Sequence, residues 1–90
     1  MRSELIEIGG ERGFHATPAA MFAQTAMKFK ANVHVGHYGQ PLRDAKNLIA
    51  VYALGGKKGD ILRVVTEGED EEEAMDEILM LVASNFKGEG

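Results

Sequence analysis

Chemistry in this chain is most readily assigned to residues 13–20, whose sequence is GFHATPAA. His15 precedes Pro18, and proline is tolerated in a first helical turn because the N–H group that it lacks would have no partner there. The N–H groups of a first turn attract anions. Because a neutral imidazole can attack phosphorus, the spacing indicates either a phosphoryl acceptor or a histidine that only caps a helix.

Two neighbours of His15 are candidate contacts for a phosphoryl group. The backbone N–H groups of Ala16 and Thr17 can bond its oxygens, and the Thr17 hydroxyl adds a third donor. A negative group at a helix start gains typically ~0.3–1 kcal/mol. A phosphoryl group that is exchanged between proteins must also be exposed, and a junction between a loop and a helix satisfies that requirement.

Four strands and three helices are predicted to position this segment. The predicted strands lie at residues 5–8, 32–35, 41–43 and 61–66. The predicted helices begin at Pro18, at residue 44 (ending at 54) and after Asp70. This order mixes strands and helices without strict alternation. It predicts one α+β domain over residues 1–90, with a largely antiparallel sheet covered on one face by helices.

Apolar spacing indicates which face of each long helix is buried. In the first helix the residues three and four apart are Ala19, Phe22, Ala23, Ala26 and Phe29. In the last helix the core stripe is predicted to contain Ala74, Ile78, Leu81, Val82 and Phe86. Asp70 is expected to cap that helix, with Glu73 completing a capping box.

Composition and charge restrict the class of protein. The 90 residues carry a formal charge of -4, include no cysteine, and contain no apolar run near the ~20 residues of a membrane span. We therefore expect a cytoplasmic protein with no disulfide, no signal peptide and no membrane insertion. No basic patch of the kind that contacts nucleic-acid phosphates is evident, so nucleic acid is not an expected partner.

Two further histidines, His34 and His37, raise the question of a metal site. Side chains three residues apart on a strand point to opposite faces, so these two cannot chelate one ion together without a bend in the strand. We interpret both as surface histidines, and we expect neither a metal nor another cofactor.

Residues 13–20 resemble the active-site segment of the histidine-containing phosphocarrier family, HPr, of the bacterial sugar phosphotransferase system. Residues 44–48, DAKNL, resemble the second motif of that family, and residues 59–60 and 67–71 resemble the turns around its last strand. The resemblance implies an open-faced β-sandwich, in which three helices cover one face of a four-stranded antiparallel sheet. It also implies that His15 accepts a phosphoryl group on Nδ1 from Enzyme I and passes it to Enzyme IIA, as a monomeric carrier rather than a turnover enzyme.

The chain departs from the family pattern at two positions near the expected site. Thr17 stands where the family usually has an arginine, whose two parallel charged bonds to phosphate a hydroxyl cannot replace. Arg12 is either a substitute for that charge or an ordinary exposed loop residue. Asn47 stands where many Gram-positive members have a serine that a kinase phosphorylates. Because asparagine has no hydroxyl, we expect Asn47 to cap the short helix instead.

A docking patch is also implied by the resemblance. Its expected members are Ala20, Met21, Asn47, Leu48, Ile49 and Tyr52. Gln24 and Met27 stand where lysines are common, so the basic ring around the patch is thin and electrostatic steering of partners should be weak. Two alternatives therefore stay open: a regulatory binding module without efficient transfer, and a paralogue that serves a nitrogen-related or dihydroxyacetone-kinase branch.

Overall fold

Strands and helices follow one another in the predicted order in the computed structural model, which describes residues 1–10, 12–84 and 86. The strands of this part of the chain are β1 (Arg2–Glu7), β2 (Asn32–His37), β3 (Arg43–Asp44) and β4 (Ile61–Glu67). The helices are α1 (Ala16–Met27), α2 (Leu48–Leu54) and α3 (Glu71–Ala83).

The four strands form one sheet in the order β1-β4-β2-β3, and every neighbouring pair is antiparallel. Along the central strand β4, Leu62, Val64 and Thr66 are fully buried, whereas Ile61 and Arg63 are exposed. One face of the sheet therefore packs into the core, and the other face is open. This arrangement confirms the predicted α+β fold, an open-faced sandwich with three helices on a four-stranded antiparallel sheet.

The core lies between the covered face of the sheet and the helices. α1 contributes Ala19, Phe22, Ala23 and Ala26, as its apolar spacing predicts. The prediction for Phe29 is wrong, because α1 ends at Met27 and Phe29 is only half-buried. Burying a side chain such as that of Phe22 stabilises the fold by roughly 1.5–3 kcal/mol. The buried hydroxyl of Thr66 is satisfied, because it donates to the carbonyl oxygen of Glu71 at 3.0 Å.

The starts of α2 and α1 differ from the predicted ones. The prediction of a helix from residue 44 is wrong, because Asp44 belongs to β3, where it pairs with His34 across the sheet. α2 begins at Leu48, and Asn47 is its N-cap, as expected, with Oδ1 accepting the N–H of Ala50 at 3.1 Å. α1 begins at residue 16 instead of 18. β1 extends back to residue 2, and β3 covers residues 43–44 instead of 41–43.

The predicted capping box at the start of α3 is not formed. Asp70 occupies the N-cap position, but its side chain makes no capping bond to its own helix. Its carboxylate accepts the backbone N–H groups of Lys30 and Ala31 instead, at 2.9 and 2.8 Å. The carboxylate of Asp70 is thus bonded to two N–H groups of another segment instead of taking part in a capping box with Glu73. These bonds connect the start of α3 to the residues just beyond α1.

The buried stripe of α3 is turned slightly from the predicted one. The stripe is centred between Ala74 and Met75, which are both fully buried. Leu81 therefore lies at the margin of the stripe, where it faces a groove between α1 and α3. α3 ends at Ala83, so Phe86 lies beyond the helix, where its N–H donates to the carbonyl oxygen of Leu81 at 2.9 Å.

Helix length also bears on contact with membranes. The longest described helix, α3, has 13 residues, whereas a membrane span needs ~20. Within the part of the chain that the structure describes, no helix is long and apolar enough to cross a bilayer.

Candidate functional site

His15 is the N-cap residue of α1 and is half-buried. Its backbone is extended, with φ -101° and ψ -161°, and its carbonyl oxygen accepts a helical N–H bond from Ala19 at 3.1 Å. Its imidazole makes no capping hydrogen bond. His15 therefore occupies the cap position through its backbone, and its side chain makes no bond that would account for a capping role.

The first turn of α1 presents N–H groups beside this ring. Ala16 and Thr17 occupy the first two helical positions, where N–H groups have no intrahelical acceptor, and Pro18 has no N–H group. Ala16 and Thr17 are both exposed, and none of the residues of this first turn is acidic. The positive end of the helix dipole is therefore not neutralised by a carboxylate of its own turn.

His15 shares a shallow depression with two residues that are predicted to contact phosphate, Arg12 and Thr17. The depression has a volume of about 260 Å³ and is lined by Ile8, Gly10, Arg12, Gly13, His15, Thr17, Pro18 and Phe86. Arg12 is exposed and forms no ion pair with another described residue.

Backbone contacts hold the loop that carries His15. The N–H of Phe14 donates to the carbonyl oxygen of Gly56 at 3.0 Å, and the N–H of Gly13 donates to that of Gly10 at 3.0 Å. Gly13 has φ 73°, and a Cβ at this position would lie 2.4 Å from the Gly56 oxygen. Only glycine fits here, because the backbone conformation and the close approach both exclude a side chain.

An aromatic cluster lies beneath the same loop. Phe14 is 2% exposed, and its ring meets those of Phe22 and Phe86 edge-on, with centroids 6.2 and 5.8 Å away. Each such pair contributes about 0.5–1.5 kcal/mol beyond simple burial. Sequence reasoning missed Phe14 and Gly56 as supports of His15. An aromatic residue next to the histidine is a usable signal, whereas no local pattern shows the contact with Gly56.

The predicted docking residues divide between two surfaces. On α2, Leu48, Ile49 and Tyr52 are 48%, 77% and 59% exposed, whereas Val51 is fully buried, so this helix turns three large side chains outward. Met21 is half-buried and lines a separate groove of about 520 Å³ between α1 and α3.

Residues next to α2 are engaged in holding the fold. Lys46 donates from Nζ to the carbonyl oxygen of Phe29 at 2.7 Å, and Arg43 donates to that of Ala50 at 3.2 Å. The predicted docking residue Asn47 is exposed at the start of α2, and Ala20, on α1, is half-buried. The hydrogen bonds of Lys46 and Arg43 restrain these two cationic side chains.

The other two histidines lie on opposite faces of the sheet, as their spacing predicts. His34 alternates with the buried Val33 and Val35 and therefore lies on the open face. His37 reaches the helix-covered side, where Nε2 donates to the carbonyl oxygen of Leu54 at 3.1 Å. His34 and His37 are both half-buried, so the interpretation of these two residues as surface histidines needs correction. Among the described residues no three histidine or carboxylate side chains converge as a metal site would require.

Comparison with known proteins identifies the family. The family model for the PTS HPr component phosphorylation site matches residues 3–84. The chain is 37% identical over 90 residues to a phosphocarrier protein HPr of Pseudomonas putida, covering 100% of this chain and 99% of the relative. A second phosphocarrier protein HPr, from Pseudomonas aeruginosa, is 36% identical over 81 residues, 90% of each chain. The crystal structure of HPr-C-His from Thermoanaerobacter tengcongensis superposes with a TM-score of 0.88 at 37% identity, covering 96% of each chain. The chain therefore belongs to the HPr phosphocarrier family of the phosphotransferase system.

Proposed function

We propose that this protein carries a phosphoryl group between two proteins of the phosphotransferase system, with His15 as the acceptor. In this proposal Enzyme I, itself phosphorylated by phosphoenolpyruvate, donates the group, and Enzyme IIA receives it. The observation that supports His15 is the position of its imidazole at the N-cap of α1. There the ring makes no capping bond, and the N–H groups of Ala16 and Thr17, in the first turn that follows it, have no intrahelical acceptor.

The proposed transfer forms one bond and breaks another at phosphorus. The unprotonated Nδ1 of a neutral His15 ring attacks the phosphorus, and the bond to the donor atom on Enzyme I breaks with its electron pair returning to that atom. Nε2 keeps its proton throughout. Transfer to Enzyme IIA repeats the step with His15 as the leaving group. Because the phosphoryl group is passed on unchanged, the protein acts as a carrier that is phosphorylated and then dephosphorylated, rather than as a turnover enzyme.

Backbone N–H groups and one guanidinium are proposed to hold the phosphoryl oxygens. Ala16 and Thr17 supply N–H donors, the Thr17 hydroxyl can supply a third, and Arg12 lines the same depression with a positive charge. Charge-assisted hydrogen bonds are about twice as strong as neutral ones. In this proposal Arg12 takes the role that the family usually gives to an arginine in place of Thr17.

The exposed apolar face of α2 is proposed as the centre of the docking surface for both partners. An apolar cluster near a reactive side chain is typical of a protein interface. The proposed docking residues are Ala20, Met21, Asn47, Leu48, Ile49 and Tyr52. The resemblance to HPr also supports a cytoplasmic protein whose partners are proteins and not nucleic acid or membrane.

Phosphorylation by purified Enzyme I and phosphoenolpyruvate tests this proposal. Mass spectrometry should show one added phosphoryl group that is lost in acid, because phosphohistidine is acid-labile. His15→Ala should abolish the addition, whereas His34→Gln and His37→Gln, which alter the other two histidines of the chain, should still be phosphorylated.

Two results would contradict the proposal. One is a wild-type protein that takes up no phosphoryl group while a known HPr in the same mixture does. The other is a phosphoryl group that remains in His15→Ala. If either result is obtained, and His15→Ala still binds a partner protein with full affinity, the alternative of a regulatory binding module is favoured.

A further inference from the structure

His37 lies at the junction between the sheet and the end of α2. It is the last residue of β2, and its Nε2 donates to the carbonyl oxygen of Leu54, the last residue of α2, at 3.1 Å. The last carbonyl oxygens of a helix have no intrahelical donor, so a histidine donor satisfies one of them. Because a carbonyl oxygen can only accept, Nε2 must carry a proton, and this holds for both the neutral and the charged ring.

The His37 ring also bounds Gly56, which follows the end of α2 closely. A Cβ on Gly56 would lie 3.3 Å from Cε1 of His37, 3.5 Å from Cβ of Phe14 and 2.6 Å from Cδ1 of Ile8. These three side chains therefore surround the same face of one glycine. The carbonyl oxygen of Gly56 is the acceptor for the N–H of Phe14, the residue that precedes His15.

We propose that His37 is a positioning residue for His15. It fixes the carbonyl of Leu54 by a hydrogen bond, and its ring bounds the side of Gly56 on which a Cβ would lie. The carbonyl oxygen of Gly56 in turn accepts the N–H of Phe14. Gly55 and Gly56 both have positive φ, 62° and 142°, so this connection has little intrinsic stiffness and needs an outside restraint. The inference rests on the proposed phosphoryl transfer at His15, which needs a fixed nucleophile.

Arg63 brings a charged side chain close to His37. Arg63 lines the same depression as His37, together with Tyr38, Gly39, Gln40 and Leu42, and its guanidinium lies 5.9 Å from the centroid of the Tyr38 ring. Among the described residues that line that depression, none is a carboxylate. The proposed role of His37 is therefore positional and consists of the hydrogen bond from Nε2 to the carbonyl oxygen of Leu54.

Substitutions at His37 separate positioning from general stability. His37→Phe keeps a ring of similar size and removes the donor, whereas His37→Gln keeps an N–H donor at nearly the same reach. His34→Phe makes the same chemical change on the open face of the sheet and serves as the matched control. Two measurements are made on each protein: the hydrogen-exchange protection of the Phe14 amide, and kcat and KM for phosphorylation by Enzyme I.

We expect His37→Phe to lower the protection of the Phe14 amide by roughly three- to tenfold, the range that follows from losing one hydrogen bond. kcat should fall by about the same factor, while KM stays within about twofold because the exposed face of α2 is unchanged. His37→Gln should restore both values, and His34→Phe should match the wild type.

The proposal is overturned if the Phe14 amide of His37→Phe is as protected as in the wild type, or if kcat is unchanged. If His37→Phe fails to fold, His37→Gln and His37→Ala take its place, and equal protection and kcat in those two variants overturn the proposal. A wild-type protein that Enzyme I does not phosphorylate at His15 refutes the proposed function instead. In that case the Phe14 amide still decides whether His37 holds the loop.

Discussion

The chemistry of His15 depends on which groups balance the negative charge that a phosphoryl group brings. Thr17 offers a neutral hydroxyl and one N–H group, whereas Arg12 offers a guanidinium in the same depression. A guanidinium can form two parallel bonds to phosphate oxygens, and a hydroxyl can form one. At the scale of single residues, the phosphorylated state should therefore depend more on Arg12 than on the side chain of Thr17.

Removing the charge of Arg12 should shorten the lifetime of the phosphorylated protein. We expect Arg12→Ala to lose phosphate about two- to tenfold faster at neutral pH, because an exposed hydrogen bond contributes roughly 0.5–1.5 kcal/mol. The decay is followed by mass spectrometry after Enzyme I is removed. Arg63→Ala removes an exposed arginine from the open face of the sheet and should decay like the wild type. Equal lifetimes for the two variants would exclude Arg12 as a phosphate contact.

Restoring the arginine of the family should have the opposite effect. Thr17→Arg adds a guanidinium in the first turn of α1, so we expect the phosphorylated state to last about two- to tenfold longer. Gln24→Arg adds the same charge at an exposed position about 10 Å further along the helix and should change the lifetime little. A Thr17→Arg lifetime equal to that of the wild type would show that Arg12 and the backbone donors already suffice.

At the scale of elements, local patterns and long-range contacts contribute differently to what can be predicted. The core face of α1 and the alternation of β4 follow from periodic apolar residues, so both could be predicted from the sequence. The start of α2 could not, because Asp44 finds its partner His34 on another strand. The hydrogen bond that holds the loop of His15 could not be predicted either, since it joins Phe14 to Gly56, a residue far along the chain.

The loop before α1 provides a test at this scale. Gly13→Ala should destabilise the fold by roughly 1–3 kcal/mol or more, because φ is 73° and the new Cβ would lie 2.4 Å from the Gly56 oxygen. Gly39→Ala is the matched control, with φ 85° and open space around the new Cβ, so only backbone strain of about 1–2 kcal/mol is expected. Urea unfolding measures both. A Gly13→Ala protein at least as stable as Gly39→Ala would contradict the close packing.

Across the whole molecule, the acidic residues are concentrated at the end away from His15. More than half of the acidic residues lie at positions 67–77, in the last turn and the start of α3. Asp70 bonds to Lys30 and Ala31, just beyond the far end of α1, which is about 18 Å long. The proposed phosphoryl site at His15 therefore lies at the opposite end of α1 from this acidic cluster, whose negative charge would repel a phosphoryl group.

The bonds at this acidic end predict how stability changes with pH. The N–H group of Lys30 lowers the pKa of Asp70, and the terminal amine of Met1, 2.7 Å from Glu71, lowers the pKa of Glu71. A carboxylate with a lowered folded pKa stabilises the fold above its unfolded pKa, and this contribution is lost as pH falls through the folded pKa.

We therefore expect the urea midpoint to be steady near neutral pH and to fall below about pH 4. Asp70→Asn should have a lower midpoint at pH 7 and a weaker acid dependence. Glu69→Gln, an exposed carboxylate of the same turn, should behave like the wild type. A midpoint that falls equally steeply in Asp70→Asn and in the wild type would contradict this account of Asp70.

The most direct test of the central claim is a site-resolved NMR spectrum of the histidine rings after incubation with Enzyme I and phosphoenolpyruvate. The account predicts that a phosphoryl group appears on Nδ1 of His15 and that the ring signals of His34 and His37 show no phosphorus coupling. A phosphoryl group on either of those two rings, or none on any ring, would contradict it.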